Sequence, residues 1–246
     1  MCKKYPTGPM VRRILRHLDA ATAQQRDEGT RWYRDARAFC SRQAIGTDYG
    51  FVQVAYVVAA LSPQNTWDNN MHATKLAIAA HATGTWDGES LPGYAGYGAN
   101  VRKAFRILQG DLTALRGPKV EAFAAAIVGD MSRVTVDIWA TRAARCEADN
   151  ITLAYCDGEL PGIVEHRAIA ESYRRAAALR GITPSECQAI VWTVVRESAR
   201  WIRPQFLTAG ERAAMYRRQA RARAARGLGQ PYDWNGHTPA REAAYA

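Results

Sequence analysis

The chain has 246 residues, of which 48% are hydrophobic and 23% are charged, so it is long enough to bury one large core or two smaller ones. Its net charge of +10 favours a polyanionic partner, and nucleic acid is the first candidate. No apolar run approaches the roughly 20 residues of a membrane span, and no apolar stretch follows the basic N-terminus, so we expect neither a membrane protein nor a secretory signal.

Alanine, arginine and leucine recur at helical spacing along almost the whole chain, whereas runs of β-branched residues are scarce. This pattern predicts an all-α protein. The predicted helices span residues 9–22, 24–44, 48–61, 67–83, 99–109, 118–128, 137–147, 162–180, 184–201 and 208–226. Thr183 ahead of Pro184 is a predicted N-cap, and Asp111 is another. We expect the apolar faces of 48–61 and 184–201 to pack against each other.

The stretches between these helices predict loops and one extended segment. Residues 84–98 are rich in glycine and predict a loop. Residues 132–139 alternate like a strand, but the stretch is short, and we interpret it as an extended lead into a helix. Residues 151–156 fit either a strand or a connector. The polar, glycine-rich composition of 227–246 predicts a loosely held tail.

The cysteines are scattered and form no CxxC pair; they are Cys2, Cys40, Cys146, Cys156 and Cys187. An odd number of scattered cysteines favours reduced thiols in a cytoplasm over a disulfide framework. Zinc and iron–sulfur sites need clustered ligands, and the five histidines show no metal-binding spacing either. We therefore expect neither a metal nor another cofactor.

Four segments occur in an informative order. Residues 61–66 read LSPQNT, residues 96–108 read GYGANVRKAFRIL, and residues 115–119 read LRGPK. Val136 and Asp137 then follow, with Asp137 placed 18 residues beyond the lysine that ends LRGPK. In content, order and spacing these segments resemble the core of endonuclease-III-like DNA glycosylases, members of the helix-hairpin-helix (HhH-GPD) superfamily. The hairpin is shorter than the family's glycine-rich form, and the four-cysteine cluster of many relatives is absent.

The resemblance covers about 59–146 and implies a two-lobed helical fold with a central cleft. Residues 59–140 would form a helical barrel lobe that contains the hairpin. Residues 1–58 and 141–226 would form the second lobe. The catalytic residues would lie in the cleft between the two lobes, where a flipped nucleotide enters. The sequence predicts no oligomeric state.

The resemblance implies that Lys119 and Asp137 are catalytic. A lysine amine can attack the sugar carbon and form a Schiff base. A carboxylate at a helix start is kept ionised by the helix dipole, and it can stabilise a developing positive charge or accept a proton. From position alone, Asp137 also fits a plain N-cap for 137–147, and Lys119 fits a surface lysine near a helix start. The order of the motifs favours the catalytic interpretation.

The same resemblance implies DNA contacts. An enzyme that acts on a base in a duplex must extrude it, and Gln64 matches the residue that fills the vacated gap. Gln64 equally fits a polar cap on helix 67–83. Lysine and arginine side chains would bind DNA phosphates, and so would the backbone N–H of the hairpin glycine. The tryptophan that replaces the family's histidine would lie near the extruded base. These further candidates are Asn65, Gly117, Arg102, Lys103, Trp139, Arg217, Arg218 and Arg221.

A second resemblance implies a different reaction on DNA. Trp32 and Tyr33, together with ALSPQNTW (60–67) and VTVDIWATRAA (134–144), are similar to phage-encoded glycosylase-like proteins known as thymine pyrophosphorylases or amino-acid:DNA transferases. That group implies transfer of an amine or amino acid onto a 5-substituted thymine, a small amine co-substrate and a host cytoplasm. Excision of a base, with possible strand nicking, is the leading hypothesis. An inactive DNA-binding relative is the third.

Overall fold

The computed structural model describes residues 7–94, 96, 98–146 and 161–200, with the backbone alone over 197–200. This part of the chain contains nine α-helices, one short 3₁₀ helix and no β-strand, which confirms the all-α prediction for these residues. The α-helices are α1 (Thr7–Ala20), α2 (Ala23–Ala44), α3 (Phe51–Leu61), α4 (Trp67–Ala82), α5 (Gly98–Leu108), α6 (Pro118–Val128), α7 (Ile138–Arg145), α8 (Ile163–Arg180) and α9 (Pro184–Arg200). The 3₁₀ helix, Leu112–Ala114, lies between α5 and α6.

Each predicted helix within the described part of the chain is present, and its ends lie within three residues of the prediction. Residues 133–137 form no regular secondary structure and lead into α7, as predicted for 132–139. The predicted helix 208–226, the tail 227–246 and the stretch 151–156 lie outside the described residues. The helical periodicity of the sequence was therefore sufficient to locate the elements.

Polar caps fix where two of these elements begin. The Thr183 hydroxyl accepts a hydrogen bond from the backbone N–H of Glu186 at 3.3 Å, and the Glu186 carboxylate accepts one from the Thr183 N–H at 2.9 Å. This capping box satisfies two backbone donors, and Pro184 follows at the first helical position. Asp111 accepts from the Thr113 N–H at 3.0 Å and caps the 3₁₀ helix. Both predicted caps are confirmed.

The first of two apolar clusters surrounds α3. The sequence of α3, FVQVAYVVAAL, is apolar on every side, and seven of its eleven residues are buried. A helix of this kind has to be covered all round, and α2, α4, α5 and α6 pack against it. Val54, Val58 and Leu61 share this core with Ile107 and Ile127. Neither α3 nor any other described helix has the length and apolar character needed to cross a membrane.

The second apolar cluster joins α1, α7, α8 and α9. Ile14 and Leu18 of α1, Ile169 and Tyr173 of α8, and Val191 of α9 are all fully buried in it. The cluster brings together the two ends of the described chain, because α1 packs against α8 and α9. Helix α7, which begins after Asp137, packs on the same group of helices.

The expected contact between 48–61 and 184–201 is wrong. Helix α3 packs against α2, α4, α5 and α6, whereas α9 packs against α1, α2, α7 and α8. Helix α2 is the element that contacts both. The apolar face of α9 instead belongs to the second cluster; its residues are Ile190, Val191, Val194 and Val195. Periodicity identifies the buried face of a helix, but it does not identify the partner of that face.

The residue ranges of the two apolar clusters do not coincide with those of the two predicted lobes. Buried residues of α2 and α3 lie in the first cluster, together with α4, α5 and α6, although the prediction assigned 1–58 to the other lobe. Val134, Val136 and Ala140 lie in the second cluster, although the prediction included them in 59–140. The lobes 59–140 and 1–58 plus 141–226 stay a prediction, because an apolar cluster is a packing group and not a folding unit.

Helices α2 and α9 pack more extensively than any other pair in the described part of the chain, and Gly29 permits their close approach. A Cβ atom at position 29 would lie 2.5 Å from the Cα and 2.6 Å from the backbone nitrogen of Ile190. No side chain fits in that space without moving a helix. Glycine inside a helix costs about 0.5–1 kcal/mol relative to alanine, and the close crossing offsets that cost.

We predict that Gly29→Ala destabilises the fold by about 1–3 kcal/mol, because the added methyl group displaces the Ile190 backbone. Urea and thermal unfolding measure the change. Gly8→Ala is the matched control, since Gly8 is also helical and a Cβ there meets only the end of the flexible Arg12 side chain, at 3.9 Å. The control variant should unfold like the parent or slightly later. Equal destabilisation of both variants would contradict the close crossing.

Candidate functional site

The fold brings Lys119 and Asp137 together from the starts of two helices. Lys119 is the second residue of α6, after Pro118, and Asp137 is the N-cap of α7. Both side chains are half-buried. They are close enough that the positive charge of Lys119 lowers the pKa of the Asp137 carboxyl, against the effect of burial. The two residues predicted to be catalytic are therefore near enough for their charges to interact.

Burial raises the pKa of the Asp137 carboxyl above its ordinary value. The charges of Lys119 and Arg142 and the backbone N–H groups of Ala140 and Trp139 act in the opposite direction. One of these contacts joins Asp137 Oδ1 to the Ala140 N–H at 2.7 Å, which is the capping hydrogen bond of α7. The expectation that the helix start keeps Asp137 ionised describes one side of this balance, and desolvation is the larger side.

A buried hydrogen-bond network holds the backbone that carries Asp137. The Tyr33 hydroxyl of α2 donates to Gln188 Oε1 of α9 at 2.8 Å and lies 2.9 Å from the Thr135 hydroxyl. The Asp137 N–H in turn donates to the Thr135 carbonyl at 3.1 Å. All three side chains of the network are buried. It therefore links α2 and α9 to the extended segment that ends at Asp137.

Two buried phenols flank Asp137. Burial is the main cause that raises the pKa of both Tyr33 and Tyr173, and the negative charge of Asp137 adds to it in each case. The Tyr173 hydroxyl donates to the Ala140 carbonyl at 3.4 Å, within the first turn of α7. Both phenols thus remain protonated over the physiological pH range.

A series of aromatic side chains in contact extends from the Lys119 face of α6 to α2 and α4. Phe123 lies four residues after Lys119 and therefore on the same face of α6. Its ring centroid is 5.6 Å from that of Trp32 and 6.2 Å from that of Tyr33, both on α2. Trp32 also packs at 5.1 Å on Trp67, the first residue of α4. The start of α6 is thus connected to the start of α4 through stacked side chains.

Gln64 adopts a strained backbone conformation. It is the one non-glycine residue with positive φ in the described part of the chain, at 60°, and its side chain is exposed. The left-handed region costs a side-chain-bearing residue about 1–2 kcal/mol. Thr66, and not Gln64, caps α4 by accepting from the Asn69 N–H at 3.3 Å, so the interpretation of Gln64 as the cap is wrong.

Asn65 holds this loop in shape. Its amide nitrogen donates to the Leu61 carbonyl at 3.2 Å and to the Tyr94 hydroxyl at 2.9 Å. Its amide oxygen accepts from the Asn69 side chain at 2.7 Å. These bonds use the side chain of Asn65 within the protein, next to Gln64. A direct contact of Asn65 with DNA stays a prediction.

The hairpin amide of Gly117 is engaged by the chain itself. Gly117 has φ of 126°, a value that favours glycine, and precedes Pro118 as the N-cap of α6. Its N–H donates to Glu121 Oε1 at 2.9 Å. A carboxylate thus occupies the place at which the resemblance predicts a phosphate. The role of Gly117 in DNA binding stays a prediction.

Two of the basic candidates, Arg102 and Lys103, belong to α5. Arg102 of α5 is exposed and forms an ion pair with Glu89 at 3.1 Å, which is worth little at a solvated surface. Lys103 is half-buried on the next position of the same helix. The other basic candidates, Arg217, Arg218 and Arg221, lie outside the described residues. Phosphate contact by any of them stays a prediction.

Trp139 lies two residues beyond Asp137 and is half-buried. The guanidinium carbon of Arg142, one turn later in α7, lies 4.8 Å from the centroid of its ring. A cation–π contact of this kind covers one face of the indole. Stacking of Trp139 on a base, as the sequence predicted, would use the other face and stays a prediction.

No group of three or more histidine, cysteine, aspartate or glutamate side chains in the described part of the chain is arranged to hold a metal ion. Cys40 and Cys187 are buried free thiols. The chemistry available at the site is therefore that of an amine, a carboxyl group, phenols and aromatic rings.

Residues 2–199 match the model of a protein family described as "Family of unknown function (DUF7178)". The chain belongs to this family. The match spans almost everything that the structure describes, from α1 to the end of α9. Neither a curated protein nor a solved structure matches the chain. Membership of DUF7178 carries no activity, so the function has to be argued from the site.

Side chains at the site of this DUF7178 chain that the sequence analysis did not name are Phe123, Thr135, Tyr173 and Gln188. Phe123 had a signal in the sequence, because it follows Lys119 by one helical turn. Thr135 had one as well, since it precedes Asp137 by two residues in the predicted extended segment. Gln188 had none, because nothing in the spacing of α9 indicates that it meets α2 at Tyr33.

We predict that Tyr33→Phe costs about 1–3 kcal/mol of stability, because the Gln188 oxygen and the Thr135 hydroxyl lose a buried partner. Urea unfolding measures the loss. Tyr56→Phe is the matched control: Tyr56 also packs against the first cluster, and its hydroxyl forms no hydrogen bond with the described residues. If the two variants are equally stable, the Tyr33 network does not hold the site.

We predict that Asp137→Asn stabilises the fold at neutral pH. The carboxyl has a raised pKa in the folded chain, so its contribution to stability is complete below the unfolded-state pKa near 3.8 and is lost as the pH rises through the folded-state pKa. Asparagine avoids this loss and caps a helix as well as aspartate does. Melting temperatures should differ most at neutral pH and converge in acid.

Asp130→Asn is the control of opposite sign. Hydrogen bonds from Ser132 and then Arg133 lower the pKa of the Asp130 carboxyl, so its contribution to stability is present above the unfolded-state pKa and is lost in acid. This variant should be less stable than the parent at neutral pH. A destabilised Asp137→Asn variant at neutral pH would contradict the effect of burial on Asp137.

Proposed function

We propose that the chain is a DNA-base-directed enzyme of the glycosylase type, which extrudes a nucleotide and cleaves its N-glycosidic bond. The observation that supports the proposal is that Lys119 and Asp137, 18 residues apart in the sequence, are both half-buried and near enough for the lysine charge to act on the carboxyl group. Two buried phenols, Tyr33 and Tyr173, feel the charge of Asp137, and Phe123 lies on the same face of α6 as Lys119. An amine beside a carboxyl group with a raised pKa is suited to covalent catalysis at a sugar carbon.

In the proposed reaction, the Lys119 amine attacks C1′ of the extruded nucleotide, and the bond from C1′ to the base breaks. The base leaves with the electron pair of that bond and takes up a proton, while Asp137 accepts a proton from the attacking nitrogen. The C1′–O4′ bond then opens, and the second proton of the nitrogen passes to O4′. A C=N bond between Lys119 and C1′ remains, and this Schiff base makes the strand liable to cleavage.

The finer fold belongs to the same proposal: two lobes of the helix-hairpin-helix glycosylase type, with Lys119 and Asp137 in the cleft. The short 3₁₀ helix, the turn at Gly117 and α6 follow one another in the order that such a hairpin requires. Gln64 is proposed to fill the gap left by the extruded base. Its support is that an exposed side chain is held on a strained backbone, a feature that is concentrated at functional sites.

DNA is the proposed partner, and the net charge of +10 supports it. Since Glu121 occupies the Gly117 amide, we propose that affinity comes mainly from lysine and arginine side chains. Such binding is salt-dependent, because each neutralised phosphate releases counterions. The host cytoplasm is the proposed location if a phage encodes the chain.

The test of the proposal is reductive trapping. The protein is incubated with borohydride and duplexes that carry an abasic site, a damaged base or a 5-substituted thymine. Hydride addition to the C=N bond would leave a stable covalent adduct between protein and DNA. We predict an adduct with the parent chain and none with Lys119→Ala. Asp137→Asn should slow adduct formation on base-containing duplexes by about 100-fold, the lower end for loss of an acid–base group.

Lys75→Ala is the matched control, because Lys75 is an exposed lysine of α4 with no assigned role. Its adduct yield should equal that of the parent. An adduct that survives Lys119→Ala would refute the proposed nucleophile. The absence of any adduct, together with a heavier nucleoside in mass analysis when a small amine is supplied, would replace excision by transfer. DNA binding without either product would leave a binding protein.

A further inference from the structure

Two partly exposed tryptophans from two helices, Trp32 of α2 and Trp67 of α4, line one surface groove. A third tryptophan, Trp192 of α9, packs beside Trp32. The centroid of the Trp32 ring lies 5.1 Å from that of Trp67 and 6.1 Å from that of Trp192. Large aromatic side chains left open to solvent in one place are typical of binding surfaces, where ring faces are available to a ligand.

The groove is a cavity of about 310 Å³ beside these rings, at the small end of the range for ligand pockets, about 300–1,000 Å³. One face of α2 supplies most of its wall, since residues spaced by three or four positions lie side by side on a helix. The lining residues are Glu28, Arg31, Trp32, Asp35, Trp67 and Arg196. Two acidic and two basic side chains balance, so the lining has no net charge.

Most of the lining charges are already engaged. Arg31 forms a two-bond ion pair with Asp27, and Arg196 forms an ion pair with Glu28 at 3.2 Å. Asp35 is the exception, because its ion pair with Arg34 is long, at 3.9 Å, and both side chains are exposed. The groove therefore offers a ligand one weakly engaged carboxylate, at the edge of two indole rings.

A cation is a poor occupant of this groove. The guanidinium of Arg196 already lies 4.2 Å from the centroid of the Trp192 ring, so the cation–π position at that indole is filled by the protein. Arg31 and Arg196 both line the groove and would repel a second positive charge. An anion would in turn face Glu28 and Asp35. The balance of charges favours a neutral ligand.

We propose that this groove is a binding site for a neutral heteroaromatic ring, which stacks on Trp67 and donates a hydrogen bond from a ring N–H to Asp35. Stacking on tryptophan accepts any planar ring, and a carboxylate selects rings that carry a hydrogen-bond donor on their edge. In an enzyme that acts on DNA such a ring is an unstacked nucleobase, and this last step rests on the proposed function. Phe123 packs on Trp32, which lines this groove, and lies on the same face of α6 as Lys119.

The test is saturation-transfer NMR on the full chain with thymidine as the probe. We predict transfer of magnetisation to the base protons more than to the sugar protons. Trp67→Ala should weaken thymidine binding by about tenfold, within the range for removal of one stacking ring. Trp67→Phe keeps an aromatic face and should retain most of the binding, while Asp35→Asn should weaken it. Thermal unfolding of each variant verifies that the fold is intact.

Three outcomes would contradict the proposed binding site. They are no transfer of magnetisation from the parent chain to thymidine, undiminished transfer from a folded Trp67→Ala variant, and binding of butylamine in place of thymidine. Lys119→Ala separates this proposal from the enzymatic one, because it should abolish borohydride trapping and leave thymidine binding unchanged. If the chain binds thymidine but forms no covalent adduct with DNA, the proposed binding site is supported and the proposed enzymatic reaction is refuted.

Discussion

The close crossing of α2 and α9 at Gly29 is the contact on which both sites depend. With no Cβ at position 29, the helix backbones meet at Ile190, and side chains one turn further along α2 reach across to α9. Tyr33 can then donate to Gln188, and Trp32 can pack on Trp192. The first contact supports the segment that carries Asp137, and the second packs Trp192 against Trp32, which lines the groove between α2 and α4.

Asp137 is held at a cost in stability. Its carboxyl group is desolvated, and the opposing charges of Lys119 and Arg142 leave its pKa raised overall. A protein that needed only a helix cap would do better with asparagine at this position, because asparagine caps a helix without a charge to desolvate. Retaining a costly carboxyl group beside an amine is understandable if the carboxyl group takes part in chemistry, where a raised pKa assists proton transfer near neutrality.

The sequence was sufficient for the helices, because their apolar periodicity and their caps are local properties. Thr183 and Asp111 could be identified as caps from their neighbours alone, and Lys119 and Asp137 could be paired through a resemblance. The contact of α2 with α9 was not predictable in this way. Gly29 looks like a weak point in a helix until Ile190 is seen against it, and only tertiary packing gives it a function. Gln188 was missed for the same reason.

The hairpin at Gly117 shows how a local motif can keep its shape and change its partner. A free backbone N–H at a helix start attracts anions, and here the anion is the Glu121 carboxylate at 2.9 Å, from the first turn of the same helix. A DNA phosphate at this amide would have to displace Glu121 and would be repelled by it. In the proposed enzyme the hairpin therefore positions Lys119, which lies between Gly117 and Glu121, and the grip on DNA falls to side chains elsewhere.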